Sequence, residues 1–167
     1  MARQRWAIGR REAIATLVLA TAPDVMQLAP LLGGIFTRDG VALIAAYATA
    51  LPGLEPTLPP TVAFAVHHLH CALHSAVVAA AVTLAVWLTT RSIWIPLLGW
   101  WSHIVIDAFT HSRDFYPVPV FYPFSDWGFD GLAWNTPWFL VANYAAICVV
   151  AALVVVAPRP GPRSRAS

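Results

Sequence analysis

Lysine is absent from this chain, and charge of either sign is scarce: ten arginines and eight carboxylates make up 11% of its 167 residues, against 59% hydrophobic. A soluble domain of this length ordinarily carries about a quarter charged residues, so the composition predicts an integral membrane protein. The two cysteines, Cys71 and Cys148, lie far apart and form no C-x-x-C, which leaves no disulfide framework to argue. A net charge of +2 without a basic stripe is too small to suggest nucleic acid binding, so no nucleic acid partner is expected. There is no internal repeat, and the length suits one compact domain. Residues 1–157 are expected to form a single transmembrane helical domain, and 158–167, rich in proline, serine and arginine, a disordered tail. Arg10-Arg11, the apolar run after them and Ala20-Thr21-Ala22 imitate a secretory signal, but Pro23 would follow the cleavage point, so a retained first helix is expected.

Long apolar runs are what the chain does have. Crossing a bilayer takes about 20 mostly apolar residues. One segment runs from Ile8 to Ala22, where Pro23 disfavours further helix; it could extend to Phe36. A second runs from Leu73 to Leu88, its helix starting near Thr61 after Pro59-Pro60. A third runs from Ile93 to Thr110 with Pro96 in its first turn, and a fourth from Trp138 to Ala157 after Pro137. The short run Val41 to Leu51 reads as a re-entrant or interfacial helix, or a short fifth span. The expected fold is therefore all-α: a polytopic membrane helical bundle of about four transmembrane helices. With four spans, Arg3, Arg5, Arg10, Arg11, Arg91, Arg159, Arg163 and Arg165 share one side, and only Arg38 and Arg113 the other. The positive-inside rule then makes both termini cytoplasmic in a bacterial inner membrane. The loop from Phe115 to Trp138, dense in aromatics and prolines, should lie at the bilayer surface and roof a site or touch lipid.

Ionisable side chains inside or at the rim of such runs are costly, and so point to function. His70 and His74 are four residues apart, as are His103 and Asp107, so each pair shares a helix face. From His74 to the turn near Thr90 is about 24 Å of helix, and the return to Asp107 is about the same, so an antiparallel hairpin brings the pairs to one depth. Asp24, at the far end of the first segment, reaches the same side. A lone histidine on such a helix is ordinarily a packed, hydrogen-bonded residue; four ligand-type residues at matched depth favour a metal site. Asp24 reads equally as a helix N-cap or a ligand. His67 and His68 read as interfacial polar residues, Asp114, Asp126 and Asp130 as turn or loop residues, and Cys71 as a packing residue rather than a ligand. His111 leans towards a site role, Ser75 could orient a ligand or a water, and Thr110 lies near the face of Asp107.

The run GWWSHIVIDAFTHSRDFYPVPVFYPFSD resembles the signature of the YdjM-like family of inner-membrane metal-dependent hydrolases, some of which are described as binding the LexA repressor. Gly99, Ser102, His103, Asp107 and Thr110 match its G-x-x-S-H-x-x-x-D-x-x-T helix, and Tyr122-Pro123-Phe124 the segment after it. Pro23-Asp24 matches the first half of a Pro-Asp-x-Asp, and His74-Ser75 the end of a His-Arg-Gly-x-x-His-Ser. Met26 stands where the second Asp would be, and His68-Leu69-His70 stands near the His-Arg-Gly, without the Arg. The resemblance covers roughly residues 14 to 126 and implies metal-dependent hydrolysis.

The expected function is a membrane-embedded metal-dependent hydrolase. His70, His74, His103 and Asp107 would hold a divalent ion, zinc or else manganese, with Asp24 completing the set or serving as general base. Asp24, His103 and Asp107 would carry the chemistry, and the substrate would be an ester or phosphoester of a membrane lipid or lipid-linked molecule. The competing readings are a haem or metal carrier, a proton or ion transporter, and a scaffold with a degenerate site.

Overall fold

The computed structural model describes residues 9–36, 40–51 and 54–156. Among these residues six α-helices follow in order: α1 Arg10–Gln27, α2 Gly40–Ala48, α3 Pro60–Leu73, α4 Ala76–Thr90, α5 Leu97–Thr110 and α6 Pro137–Val156, with a 3₁₀ segment Ala29–Phe36 after α1. No strand occurs among the described residues; Ser112 and Phe115 form one isolated bridge. The chain divides into two compact units, Met1–Ala133 with α1 to α5 and Trp134–Ser167 with α6. The expected tail 158–167 lies outside the described residues, as do Arg3, Arg5, Arg38, Arg159, Arg163 and Arg165.

The helices are real, but their lengths overturn the four-span bundle. Among the described residues no single helix is long and apolar enough to cross a membrane. Helix α4 has 15 residues and α5 has 14, about 21–22 Å each at helical rise, against a hydrocarbon core of about 30 Å. Helix α1 is long enough but carries Arg10, Arg11, Glu12 and Asp24. The run Val41 to Leu51 yields only the nine residues of α2, and α6 qualifies as a shorter apolar helix over Pro137–Leu153. Helices α3 and α4 pass together, but a 60° bend separates them. The apolar run misled because hydropathy does not register where a helix stops.

That bend has a local cause. His74 takes the C-cap of α3, and Ser75 adopts extended backbone and caps α4, its Oγ accepting from the amides of Val77 and Val78 at 3.1 and 3.2 Å. A side-chain acceptor there satisfies amides that would otherwise be orphaned and fixes where the new helix starts. Pro60 occupies the first position of α3, where a missing N–H costs nothing. Helix α1 departs from expectation in the other direction: it runs through Pro23 and ends at Gln27. A proline this near a helix end costs one backbone bond, and here its ring is fully buried.

Helix α5 packs chiefly on α1. Gly99 lets the two backbones touch: a Cβ there would drive into the carbonyl oxygen of Thr16 and lie 3.1 Å from the amide nitrogen of Ala20. Gly99 faces Thr16 and Ala20, while His103 and Asp107 face Asp24, so α1 and α5 run parallel at the site. The indole N–H of Trp100 donates to the Leu73 carbonyl at 2.6 Å, and that of Trp101 to Thr83 Oγ1 at 3.0 Å. These bonds tie α5 to the end of α3 and to α4.

The segment after α5 folds back over this junction. Ala76 N–H donates to the Val120 carbonyl at 2.9 Å, and Ser75 Oγ donates to the Tyr122 carbonyl at 2.6 Å. Gly131 N–H reaches the His111 carbonyl at 2.9 Å, at a point where a Cβ would strike the Phe109 carbonyl. Phe115 and Val118 are each 1% exposed, so this part of the aromatic loop is a buried cover.

Candidate metal centre

Four side chains from three elements converge beneath that cover. Asp24 comes from the last turn of α1, His74 from the break between α3 and α4, and His103 and Asp107 from successive turns of α5. One donor atom from each lies within 4.8 Å of the others, and the group could hold a metal ion. His74 Nε2 is 3.0 Å from His103 Nε2 and 3.2 Å from Asp107 Oδ2. His103 Nε2 is 3.1 Å from Asp107 Oδ2. Asp24 Oδ1 stands 3.6 and 3.7 Å from the two imidazole nitrogens. The side chains of His74, His103 and Asp107 are 0%, 7% and 12% exposed and that of Asp24 58%, so three donors form a buried floor and the fourth stands at the mouth.

Hydrogen bonding outside the cluster sets what these atoms present. His74 Nδ1–H donates to the His70 carbonyl at 2.8 Å, so a neutral ring turns its Nε2 lone pair inward. This is the outer contact that metal-bound histidines ordinarily make. Asp107 Oδ2 is buried and has no hydrogen-bond donor. A buried carboxylate oxygen among imidazole nitrogens calls for a positive charge between them, a proton or a metal ion. The spacing agrees. Tetrahedral bonds of about 2.0–2.1 Å place neighbouring ligand atoms about 3.3–3.4 Å apart, within the 3.0 to 3.7 Å of these five pairs.

Without a cation, a proton takes its place. Burial opposes charging His74, but bonds to Asp107 and Asp24 outweigh it and raise its pKa to about 9. Burial pushes the Asp24 carboxyl up, yet His74, His103 and His111 hold it below its ordinary value. A cluster in which two carboxylates keep a buried imidazole charged is poised to exchange that proton for a metal.

His70, expected as a ligand, stands beside the group. Its Nε2 lies 3.1 Å from the Pro117 carbonyl oxygen and its Nδ1 2.6 Å from Gln27 Oε1, both acceptors that share the ring's N–H. Both nitrogens are occupied, and burial, with His74 and His111 nearby, lowers its pKa to about 3. Gln27, which the sequence reading passed over, also donates from Nε2 to Asp24 Oδ1 at 3.5 Å. The signal for it was helical spacing: three residues separate it from Asp24 on one face, once α1 is allowed through Pro23. His111 is close: its Nε2 lies 3.5 Å from Asp107 Oδ2 and its Nδ1–H donates to the Tyr116 carbonyl at 2.7 Å. Burial outweighs Asp107 and lowers its pKa.

The remaining candidates have structural work. Ser75 caps α4, and Thr110 Oγ1 bonds back to the Ile106 carbonyl at 3.0 Å. His68 Nδ1 pairs with the Tyr122 hydroxyl at 2.9 Å, and the buried Cys71 thiol rests against the His67 ring at 3.6 Å. Asp130 accepts from the Arg113 amide at 2.9 Å within the loop, and Asp114 and Asp126 are exposed. No family model matches this chain, and neither a curated protein nor a solved structure matches it.

Proposed function

We propose that the protein is a metal-dependent hydrolase centred on Asp24, His74, His103 and Asp107. The observation that carries this reading is the convergence of four donor atoms within 4.8 Å of one another, with Asp107 Oδ2 buried 3.1 and 3.2 Å from two imidazole nitrogens. Two histidines, two carboxylates and near-tetrahedral spacing favour zinc over manganese. The resemblance of residues 14 to 126 to the YdjM-like hydrolases supports the same reading. A zinc ion held there supplies Lewis acidity towards a scissile carbonyl or phosphoryl oxygen and acidifies water.

The chain's own groups divide the remaining work. The His70 carbonyl holds the His74 ring in register through Nδ1. His103 and Asp107, one helical turn apart on α5, form the buried floor. Asp24 at the open mouth, 58% exposed, is the carboxylate placed to accept a proton from an attacking water, with Gln27 Nε2 donating to it. The separation of 3.0 Å between His74 and His103 Nε2 leaves no room for a macrocycle between them, which disfavours the haem reading.

The proposed substrate is an ester or phosphoester of an amphiphile, taken from the bacterial inner membrane. Leu98, Val105, Ile106 and Phe109 on α5 are each more than half exposed. Exposed apolar surface of this extent on the helix that carries two ligands suits contact with lipid. Elemental analysis of the purified protein tests the centre: about one equivalent of zinc is expected, lost in Asp107→Ala. No metal after reconstitution with zinc and manganese, or full retention in the variant, refutes it.

A further inference from the structure

The four-residue group does not account for Arg113. Of the described arginines, Arg10 and Arg11 begin α1, about 20 Å of helix from Asp24, and Arg91 follows α4, about 24 Å of helix from Ser75. Arg113 instead lies two residues past His111, whose ring meets Asp107, so the Cα atoms of 111 and 113 are at most about 7 Å apart. Its backbone amide donates to Asp130 Oδ1 at 2.9 Å, but its guanidinium makes no hydrogen bond or ion pair among the described residues.

Arg113 lines a pocket of about 310 Å³ with Pro117, Asp126, Trp127, Gly128 and Phe129. Ligand pockets run from about 300 to 1,000 Å³, so this one suits a headgroup rather than a whole lipid. Its walls are braced. A Cβ on Gly128 would strike the Val118 carbonyl, the Trp127 ring packs on Phe121 at 5.7 Å, and the Phe129 ring packs on Phe109 at 5.2 Å. Asp126 is exposed and, like the guanidinium, makes no hydrogen bond or ion pair among the described residues. An arginine and an aspartate therefore line one pocket without pairing, beside two aromatic rings. Phe109 continues the wall onto the exposed apolar face of α5, next to Val105 and Ile106.

We infer that this pocket binds the zwitterionic headgroup of a phosphoester amphiphile, its phosphate on Arg113 and its ammonium group on Asp126, Trp127 and Phe129. The apolar chain would run along Phe109 and Ile106. This names a substrate class for the hydrolase reading above and rests on it. A guanidinium matches phosphate geometry, and aromatic faces attract an ammonium group. A simple anion would be repelled by Asp126, and a simple cation by Arg113; a ligand carrying both charges satisfies both. Pro117 joins the pocket to the metal centre: it lines the one, and its carbonyl oxygen lies 3.1 Å from Nε2 of His70, beside the other.

Calorimetric titration of the full chain with phosphocholine, inorganic phosphate and choline tests this. Phosphocholine should bind at least about tenfold more tightly than either fragment, and Arg113→Gln should weaken it about tenfold or more, the worth of a charge-assisted hydrogen bond. Asp126→Asn should weaken phosphocholine about threefold without weakening phosphate. Both side chains are exposed and the amide of residue 113 still reaches Asp130, so both variants should melt as the wild type does. Asp107→Ala, which disables the metal centre, should bind phosphocholine unchanged. Binding lost there but kept in Arg113→Gln would put the phosphate on the metal and overturn the inference. Equal affinity for phosphate and phosphocholine, or no binding by a chain that holds zinc, would overturn it while leaving the metal centre standing. Phosphocholine binding by a chain that takes up no zinc would refute the hydrolase reading and not the pocket. Phosphatidylcholine vesicles should displace phosphocholine and phosphatidylglycerol vesicles should not. The reverse order, or displacement by neither, would overturn the amphiphile as the ligand.

Discussion

Replacing Gly99 by alanine tests how the fold builds the site. The added Cβ would collide with the Thr16 carbonyl and sit 3.1 Å from the Ala20 amide nitrogen, both backbone atoms of α1. Neither can swing aside as a side chain would. Restoring ordinary contact at about 3.5 Å requires α1 and α5 to separate by roughly 1.4 Å, and overpacking of this kind typically costs about 1–3 kcal/mol. The strain falls on the site because Asp24 rides on α1 while His103 and Asp107 ride on α5. Asp24 Oδ1 already stands 3.6 and 3.7 Å from the imidazole nitrogens, the longest edges of the cluster. That separation removes it from bonding range. The expected result in Gly99→Ala is a melting temperature lower by about 2–4 °C for each kcal/mol lost, with zinc affinity reduced about 10–100-fold. Gly9→Ala is the control, since a Cβ there meets only Glu12 Oε2 at 3.8 Å. Unchanged melting and unchanged affinity in Gly99→Ala would refute the claim that this crossing sets the position of Asp24.

Two further outcomes follow from the geometry. Because Asp107 and Asp24 raise the pKa of His74 to about 9 against the opposing effect of burial, metal must displace a proton at neutral pH. Apparent zinc affinity should then rise by about tenfold per pH unit between pH 6 and 8, with proton release visible by calorimetry in buffers of different ionisation enthalpy; a flat profile without release contradicts this. Ser75→Ala removes the cap of α4 and the donor to the Tyr122 carbonyl, so unfolding should become easier by about 0.5–2 kcal/mol and chymotrypsin should cut at Phe121 faster. Equal stability and equal cleavage would show that the cap is dispensable.

The sequence by itself picked out four residues that the fold brings together. His74, His103, Asp107 and Asp24 were legible because ionisable ligand types stand out in apolar surroundings, and four-residue spacing assigns His103 and Asp107 to one helix face whatever the tertiary arrangement. The starts of α3 and α6 were legible too, since Pro60 and Pro137 fix backbone angles locally. Helix lengths were not. Whether the run from Thr61 to Leu88 is one helix or two depends on whether the Ser75 hydroxyl turns to the amides of Val77 and Val78, and that is supported by the loop carbonyls of Val120 and Tyr122, some 45 residues away. Nor could sequence separate His70 from His74, which share spacing and residue type. The Pro117 carbonyl and Gln27 Oε1 take up one ring, while the His70 carbonyl engages Nδ1 of the other and leaves its Nε2 facing Asp107 and Asp24. Residue type and periodicity are local properties, read from neighbours in the chain. Which nitrogen faces the site is a matter of partners brought together from distant segments, and only the tertiary structure supplies those.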